Sequence, residues 1–327
     1  MIISFFDITD EERISFAFLP SEHSFLYNKD SLTAKNAVLV SETEILYVRS
    51  FSLVTADILR YLPKLRFIAT RSTGFDNIDI EYCKQHNIVV SNVPSYATIA
   101  VAEHTFGLLL SLAHNITSCV EESRTGHYKV GPQGFDIFGK TIGIVGLGNI
   151  GMKVAVIAKG FGMRILVCTK HPEVKRSKIK GVMFVSLQSL FIESDIVTFH
   201  VPLTDETHHM LNMKNIPFLK KGCILLNTSR GEVIETKAID WALQKGLLSG
   251  AGLDVLEEEQ ALKVYELTPS SVHSEVVMLN RKFMTDKRVL VTPHNAYQTK
   301  EALNTILRIS AENIAAFLKG KPINRVV

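Results

Sequence analysis

The sequence predicts an α/β protein built on two doubly wound parallel sheets. Short, continuous Val/Ile/Leu runs alternate with helical stretches along most of the chain. A strand that is apolar at every position is buried on both faces, as in a parallel sheet covered by helices. The runs form two sets, one before about Pro94 and one from about Lys140, with a long apolar helical stretch between them. A chain of 327 residues is also too long for a single ordinary core, which points to two domains.

Taken in order, the elements begin with MIISFFDITD, which reads as a first strand. AVLV (37–40), RFIAT (66–70) and NIVV (87–90) are read as further strands of the first set. AVAEHTFGLLLSLAHNITSC is apolar at helical spacing and predicts one long linking helix, placed as a hinge spine. The second set follows: TIGIVG (141–146), RILVC (164–168), DIVTFH (195–200), CILLNT (223–228), SGAGLDV (249–255) and VLVTPH (289–294). The tail from Thr299 to Leu318 is helical by periodicity and is expected to return to the first set. The predicted division is therefore a discontinuous domain, 1–97 plus 297–327, around a central domain, 98–296.

Bulk composition narrows the function. Hydrophobic residues make up 46% and charged residues 21%, and the net charge is +3. That charge is too mild to imply nucleic acid and suits a small anionic substrate. No apolar run is long enough to span a bilayer, so no membrane partner is expected. Cys83, Cys119, Cys168 and Cys223 are far apart, with no CxxC and no metal spacing. Reduced, packed thiols and a start without a secretory pattern lead to the expectation of a cytoplasmic protein.

Chemistry enters with GLGNIG. Gly146, Gly148 and Gly151 form GxGxxG between the strand TIGIV and a helical stretch, with RILVC closing a βαβ unit of about 30 residues. In that context the first glycine permits a tight turn, the second lets a pyrophosphate approach the backbone, and the third allows helix and strand to pack closely. The helix N-terminus then holds the phosphates, giving a Rossmann dinucleotide site. An Asp or Glu that reads the ribose of NAD is expected near Thr169, but the chain offers Cys168, Thr169, Lys170 and His171 instead. Lys175, Arg176, Lys178 and Lys180 follow. Two readings stand. Loss of the acid and gain of cations suit the 2′-phosphate of NADP(H); alternatively, this is an NAD(H) protein with a relaxed ribose pocket and a solvated basic loop. The balance leans slightly to NADP(H).

Three strand exits carry the candidate catalytic groups. Arg230 follows CILLNT, Asp254 ends SGAGLDV with Glu259 five residues on, and His294 follows VLVTPH. Carboxyl ends of parallel strands are where open α/β sheets bind ligands. An Arg fork to grip a carboxylate or carbonyl and a His charged by a carboxylate to deliver a proton together suit carbonyl reduction. The other histidines are assigned no catalytic part: His104 is read as structural or at a subunit contact, His208 and His209 as solvated, and His200 as lying near the cofactor.

With these motifs in place, the chain resembles the D-isomer-specific 2-hydroxyacid dehydrogenases. The matching stretches are RSTGFDNID, NVPSYATIAVAEHTFGLLL, GKTIGIVGLGNIG, FHVPLTDETHHM, LNTSRGEVI, GLDVLEEE and TPHNAYQT, and they cover nearly the whole length. The insert between Glu259 and Val289, followed by PHNAYQT, is most similar to the D-lactate dehydrogenase branch. The resemblance implies a Rossmann cofactor domain inserted in a flavodoxin-like substrate domain. It also implies His294 as acid/base, Glu259 as the group that keeps it charged, and Arg230 as the anchor of the substrate carboxylate and polariser of the keto group. The substrate carboxylate would be held by amides at Thr73 and Gly74 beneath Tyr96, with Tyr297 also shaping the pocket. The cofactor would meet Asn149 and Ile150 at the pyrophosphate, Thr169, Lys170 and His171 at the ribose, Val201, Pro202 and Thr207 on the adenosine side, and Thr228, Ser229 and Asp254 toward the nicotinamide.

The expected reaction is reduction of a small 2-keto acid, pyruvate to D-lactate first, by a homodimer using NAD(H) or NADP(H). A glyoxylate, hydroxypyruvate or bulkier 2-keto acid reductase is the alternative within the family. A non-catalytic, NAD(H)-sensing corepressor-like protein is the alternative of another class.

Overall fold

The computed structural model describes residues 1–49, 52–175, 179–262 and 274–327. Within it the chain divides into two compact units: Met1–Tyr96 with Thr299–Val327, and Ala97–Gln298.

The first unit holds five strands: β1 (Ile2–Phe5), β2 (Ser24–Tyr27), β3 (Ile45–Val48), β4 (Phe67–Thr70) and β5 (Val89–Ser91). Their order is β2-β1-β3-β4-β5, every ladder is parallel, and this is the flavodoxin-like winding. Alternate side chains feed two cores, as the two-residue period of a strand requires. In β3, Leu46 and Val48 join Ile68 and Val90 on one face. Ile45 and Tyr47 join Phe67 on the other, where Ile306, Ala311 and Ile314 of the helix Lys300–Leu318 cover them. The apolar stripe of the tail helix thus accounts for its return to this unit; Thr299 caps it by accepting from the Ala302 amide at 3.2 Å.

The second unit holds seven strands: β6 (Thr141–Val145), β7 (Arg164–Cys168), β8 (Val182–Phe184), β9 (Ile196–Phe199), β10 (Cys223–Asn227), β11 (Leu248–Leu253) and β12 (Val289–Val291). Their order is β12-β11-β10-β9-β6-β7-β8, again wholly parallel. Counted within the unit this is the Rossmann order with one added strand, and its winding reverses between β6 and β9. Ile224 and Leu226 of β10 pack with Leu109 and Ala155 from the helices Thr98–Ala113 and Asn149–Gly160. Cys223 and Leu225 pack into the opposite core with Phe199, Ala238 and Phe283. Phe199 is fully buried, and truncating it to Ala costs about 3–5 kcal/mol.

Two sequence expectations are corrected. AVLV (37–40) is helical, not a strand: Thr33 and Asn36 form a capping box, only Ala37 and Val40 face the core, and Val38 and Leu39 are exposed. Spacing of three, rather than the apolar run itself, decided the element. The linking helix is not continuous either. It breaks after Ala113, and a second helix, Ile116–Arg124, starts from Asn115, whose φ of 52° is left-handed and ends the regular ladder.

Candidate active site

All the chemistry in the second unit gathers at the carboxyl ends of its strands. At the exit of β6, Gly146 has φ of 94°, and a Cβ there would lie 2.5 Å from the His200 carbonyl oxygen. Only glycine makes this turn against the β9 exit. A Cβ on Gly151 would meet the Gly146 carbonyl oxygen at 2.1 Å, so the helix packs directly on the turn. Gly148, the residue before the helix Asn149–Gly160, has nothing within 4 Å of its Cβ position. A cradle tight on two sides and open at the helix N-terminus fits a pyrophosphate, with Asn149 and Ile150 opening the helix beside it.

Register fixes what flanks the cradle. Phe199, Val145 and Cys168 form one row across β9, β6 and β7. Thr169, Lys170 and His171 therefore leave on one side of the glycine turn, and His200, Val201, Pro202 and Thr207 on the other. The Thr207 hydroxyl donates to the Pro202 carbonyl at 2.6 Å and so shapes that loop. Lys170 forms a two-pronged pair with Glu206, at 2.7 and 2.9 Å, and this holds the Glu206 carboxyl below its usual range. His171 is exposed, 3.5 Å from Glu173. Of the remaining basic run, Lys180 is exposed. The Lys175 side chain, Arg176 and Lys178 lie outside the described residues. His200 is half-buried, bonds the Thr198 hydroxyl through Nε2 at 2.9 Å, and is pushed down to about 3 by burial of its ring. It is therefore a neutral wall of the crevice rather than an acid.

At the next exits the candidate catalytic residues come together. At the exit of β10, Asn227 accepts from the Ser229 amide (3.0 Å) and hydroxyl (2.7 Å) and donates to the Arg230 carbonyl (2.8 Å), so one buried side chain sets the Ser229–Arg230 turn. Thr228 shares a 3.0 Å hydrogen bond with Thr105 on the helix Thr98–Ala113. The Arg230 guanidinium donates to the Ser229 carbonyl at 2.8 Å. A Cβ on Gly231 would lie 2.0 Å from the Leu256 carbonyl carbon, so the Arg230 and Glu259 loops touch through bare backbone.

His294 Nδ1 lies 3.0 Å from Glu259 Oε2. A carboxylate only accepts, so Nδ1 carries the proton and Nε2 is the nitrogen left for a substrate. Glu259 is held in turn by the Leu256 amide at 3.1 Å. His294 itself sits at φ of 51°, with its amide bonded to the Asp254 carbonyl at 2.8 Å. Asp254 is 2% exposed, and its carboxylate is used within this loop: it accepts from the Thr292 hydroxyl (2.6 Å) and from the amides of Asn295 and Ala296 (both 3.0 Å). Tyr297 stands edge-on to the imidazole with ring centres 6.4 Å apart.

Three of these supports had no partner named from the sequence, although His104 was read there as structural or at a subunit contact. His104 bonds Thr292 through Nε2 at 3.0 Å and approaches Asp254 to 3.5 Å, so it braces the His294 loop from the linking helix. Glu257 is bonded by His209 (2.7 Å) and by the Thr236 amide (3.0 Å), which makes His209 a loop brace rather than a solvated residue. Burial raises the Glu257 carboxyl, but those bonds outweigh it and leave it below the ordinary range. Glu206 is the third. None had a local signal, because each partner lies 21 to 188 residues away.

The remaining expected substrate residues belong to the first unit. Thr73 and Gly74 follow β4, where the Thr73 hydroxyl donates to the Val93 carbonyl at 2.8 Å and Ser72 donates to the Gly74 carbonyl at 2.5 Å. Tyr96 packs on the core face that carries Phe67 and Val93.

Comparison with known proteins gives a consistent result. Residues 106–296 match the family model for the D-isomer specific 2-hydroxyacid dehydrogenase, NAD binding domain. A glyoxylate reductase of Aeropyrum pernix is 36% identical over 288 residues, covering 86% of this chain and 81% of that protein. The D-lactate dehydrogenase of Escherichia coli is 35% identical over 258 residues, covering 79% and 77%. The crystal structure of the Aquifex aeolicus D-lactate dehydrogenase, complexed with NAD and lactic acid, superposes with a TM-score of 0.86 at 31% identity, covering 97% and 96% of the two chains.

Proposed function

Because this chain belongs to the D-isomer specific 2-hydroxyacid dehydrogenase family, we propose that it is a nicotinamide-dependent oxidoreductase that reduces pyruvate to D-lactate. The observation that carries the reading is the 3.0 Å His294–Glu259 pair on the strand exit beside the Arg230 loop.

The glycine cradle and the crevice at the β6/β9 reversal would hold the dinucleotide, with Thr228, Ser229 and Asp254 toward its nicotinamide end. Once bound, the nicotinamide supplies the hydride exchanged with C2 of the substrate. Arg230 binds the substrate carboxylate and draws electron density from the keto oxygen. Thr73, Gly74 and Tyr96 of the first unit, and Tyr297 beside His294, are carried as substrate residues by the family resemblance alone. His294, protonated against Glu259, gives its Nε2 proton to the oxygen as the hydroxyl forms, and takes it back in the oxidative direction.

No acid stands at Thr169, and the charge there is set by His171 and by the Lys170–Glu206 pair, so NADP(H) is proposed as a cofactor alongside NAD(H). A homodimer is proposed from the stretch 116–138, where Ile116, Val120, Tyr128, Val130 and Phe138 are exposed, Tyr128 and Val130 almost completely. No described helix is long and apolar enough to cross a membrane. The four cysteines are free thiols, with Cys83 and Cys223 pushed up to about 12 chiefly by burial, and this supports a reducing, cytoplasmic setting.

Pyruvate is proposed first because the fold match to a lactate-bound relative spans 97% of the chain. Glyoxylate is the second reading, favoured by the 36% identity to a glyoxylate reductase. Chiral chromatography of the product from pyruvate and NADH tests the reading. D-lactate is expected, and L-lactate or no product would overturn it. Faster turnover of glyoxylate would select the second reading.

A further inference from the structure

The sequence lacks an acid at the end of β7, yet the structure brings one there from elsewhere. Glu206 stands on the loop that leaves β9, and Lys170 on the loop that leaves β7. These two strands lie on either side of β6, so the glycine turn sits between their exits. The carboxylate meets the ammonium through both oxygens, at 2.7 and 2.9 Å. Adjacent strands are about 4.8 Å apart, so the two exits are separated by roughly 10 Å. The long side chains span that gap on the side of the crevice where a dinucleotide presents its adenosine ribose.

We propose that Glu206, acting with Lys170, is the residue that sets the choice between NAD(H) and NADP(H). The inference rests on the cofactor site argued above. Lys170 alone would favour a 2′-phosphate, but here its charge is already met by Glu206. A 2′-phosphate must displace a carboxylate from Lys170 and then lie beside that carboxylate. A ribose hydroxyl does neither, and it also finds in Glu206 the acceptor that Thr169 does not provide. The pair therefore restores, from a different loop, the repulsion that an acid at position 169 would have supplied. Both side chains are about 70% exposed, so the effect is moderate and screened by salt.

The consequence differs from that of a solvated surface pair. Glu206→Gln leaves Lys170 uncompensated at the ribose, whereas Lys170→Gln leaves Glu206 alone there. The experiment is a direct titration of nucleotide binding, by NADH and NADPH fluorescence, on the wild type and these two variants at low and at 0.5 M salt. For Glu206→Gln at low salt, the NADPH Kd is expected to fall about tenfold with the NADH Kd within about twofold. For Lys170→Gln, the NADPH Kd is expected to rise by a similar factor. High salt should shrink both differences. Parallel changes for the two nucleotides, or no change in either variant, would overturn the proposal. A wild type that binds neither nucleotide would overturn the cofactor site itself, and this proposal with it.

Discussion

At the residue scale, His294, Glu259 and Arg230 have distinct effects. His294→Gln is expected to lower kcat by about 10²–10⁴-fold, the usual worth of a positioned acid, while dinucleotide affinity measured by fluorescence stays unchanged. Near-normal turnover would remove His294 from the acid/base role. Glu259→Gln removes the carboxylate that orients the imidazole through Nδ1, so it should lower kcat, though less than His294→Gln does, with dinucleotide affinity unchanged; an unchanged kcat would deny the pairing any part in proton transfer. Arg230→Gln should raise KM and lower kcat/KM together, because the guanidinium both anchors the carboxylate and polarises the keto oxygen. His200 carries a stability effect instead. Its folded form resists protonation down to about 3, against 6.5 for the unfolded side chain. The unfolded chain thus binds the extra proton between those values, and stability is lost as pH falls from about 6.5 toward 3. Between pH 7 and 5 this amounts to about 2 kcal/mol. Urea unfolding of His200→Gln should show a correspondingly shallower pH dependence than the wild type.

At the element scale, the loop after β12 depends on contacts that no sequence window contains. Asp254 accepts three hydrogen bonds from Thr292, Asn295 and Ala296. Asp254→Ala should destabilise the unit by at least about 2 kcal/mol through the two orphaned amides and the orphaned hydroxyl. It should also depress kcat with His294 still present. A lowered melting temperature with kcat per folded molecule unchanged would limit Asp254 to architecture. Strands buried on both faces were legible because their apolar runs are continuous, as in TIGIV and CILLN. AVLV was misread because four apolar residues fit a strand or a helix equally well, and the capping box at Thr33 decided for the helix. The strand that does occupy the centre of the first sheet, Ile45–Val48, was passed over, and so were Ser24–Tyr27 and Val182–Phe184. Ser24–Tyr27 and Val182–Phe184 are edge strands of four and three residues, apolar in sequence (SFLY, VMF) but short and only partly buried.

At the scale of the whole molecule, strand order places every candidate group at carboxyl ends, and the motif order along the chain made that much legible in advance. What the sequence did not disclose is how distant polar groups pair: His104 with Thr292, and Lys170 with Glu206. Exposed and half-buried polar pairs leave no periodicity, so only the assembled fold reveals them. The proposed dimer belongs to this scale too. Val130→Glu should shift the species seen by sedimentation from dimer to monomer, and a wild type that sediments as a monomer would remove the dimer from the account.

The central claim is that one His–carboxylate pair and one Arg, served by a nicotinamide dinucleotide, reduce a 2-keto acid. The most direct measurement is the initial rate of NADH and NADPH oxidation with pyruvate and with glyoxylate, run side by side for the wild type and His294→Gln. Turnover of at least one acid by the wild type and its loss in the variant are expected, with nucleotide binding intact in both. Absence of wild-type turnover with either acid and either nucleotide, or undiminished turnover in His294→Gln, would contradict it.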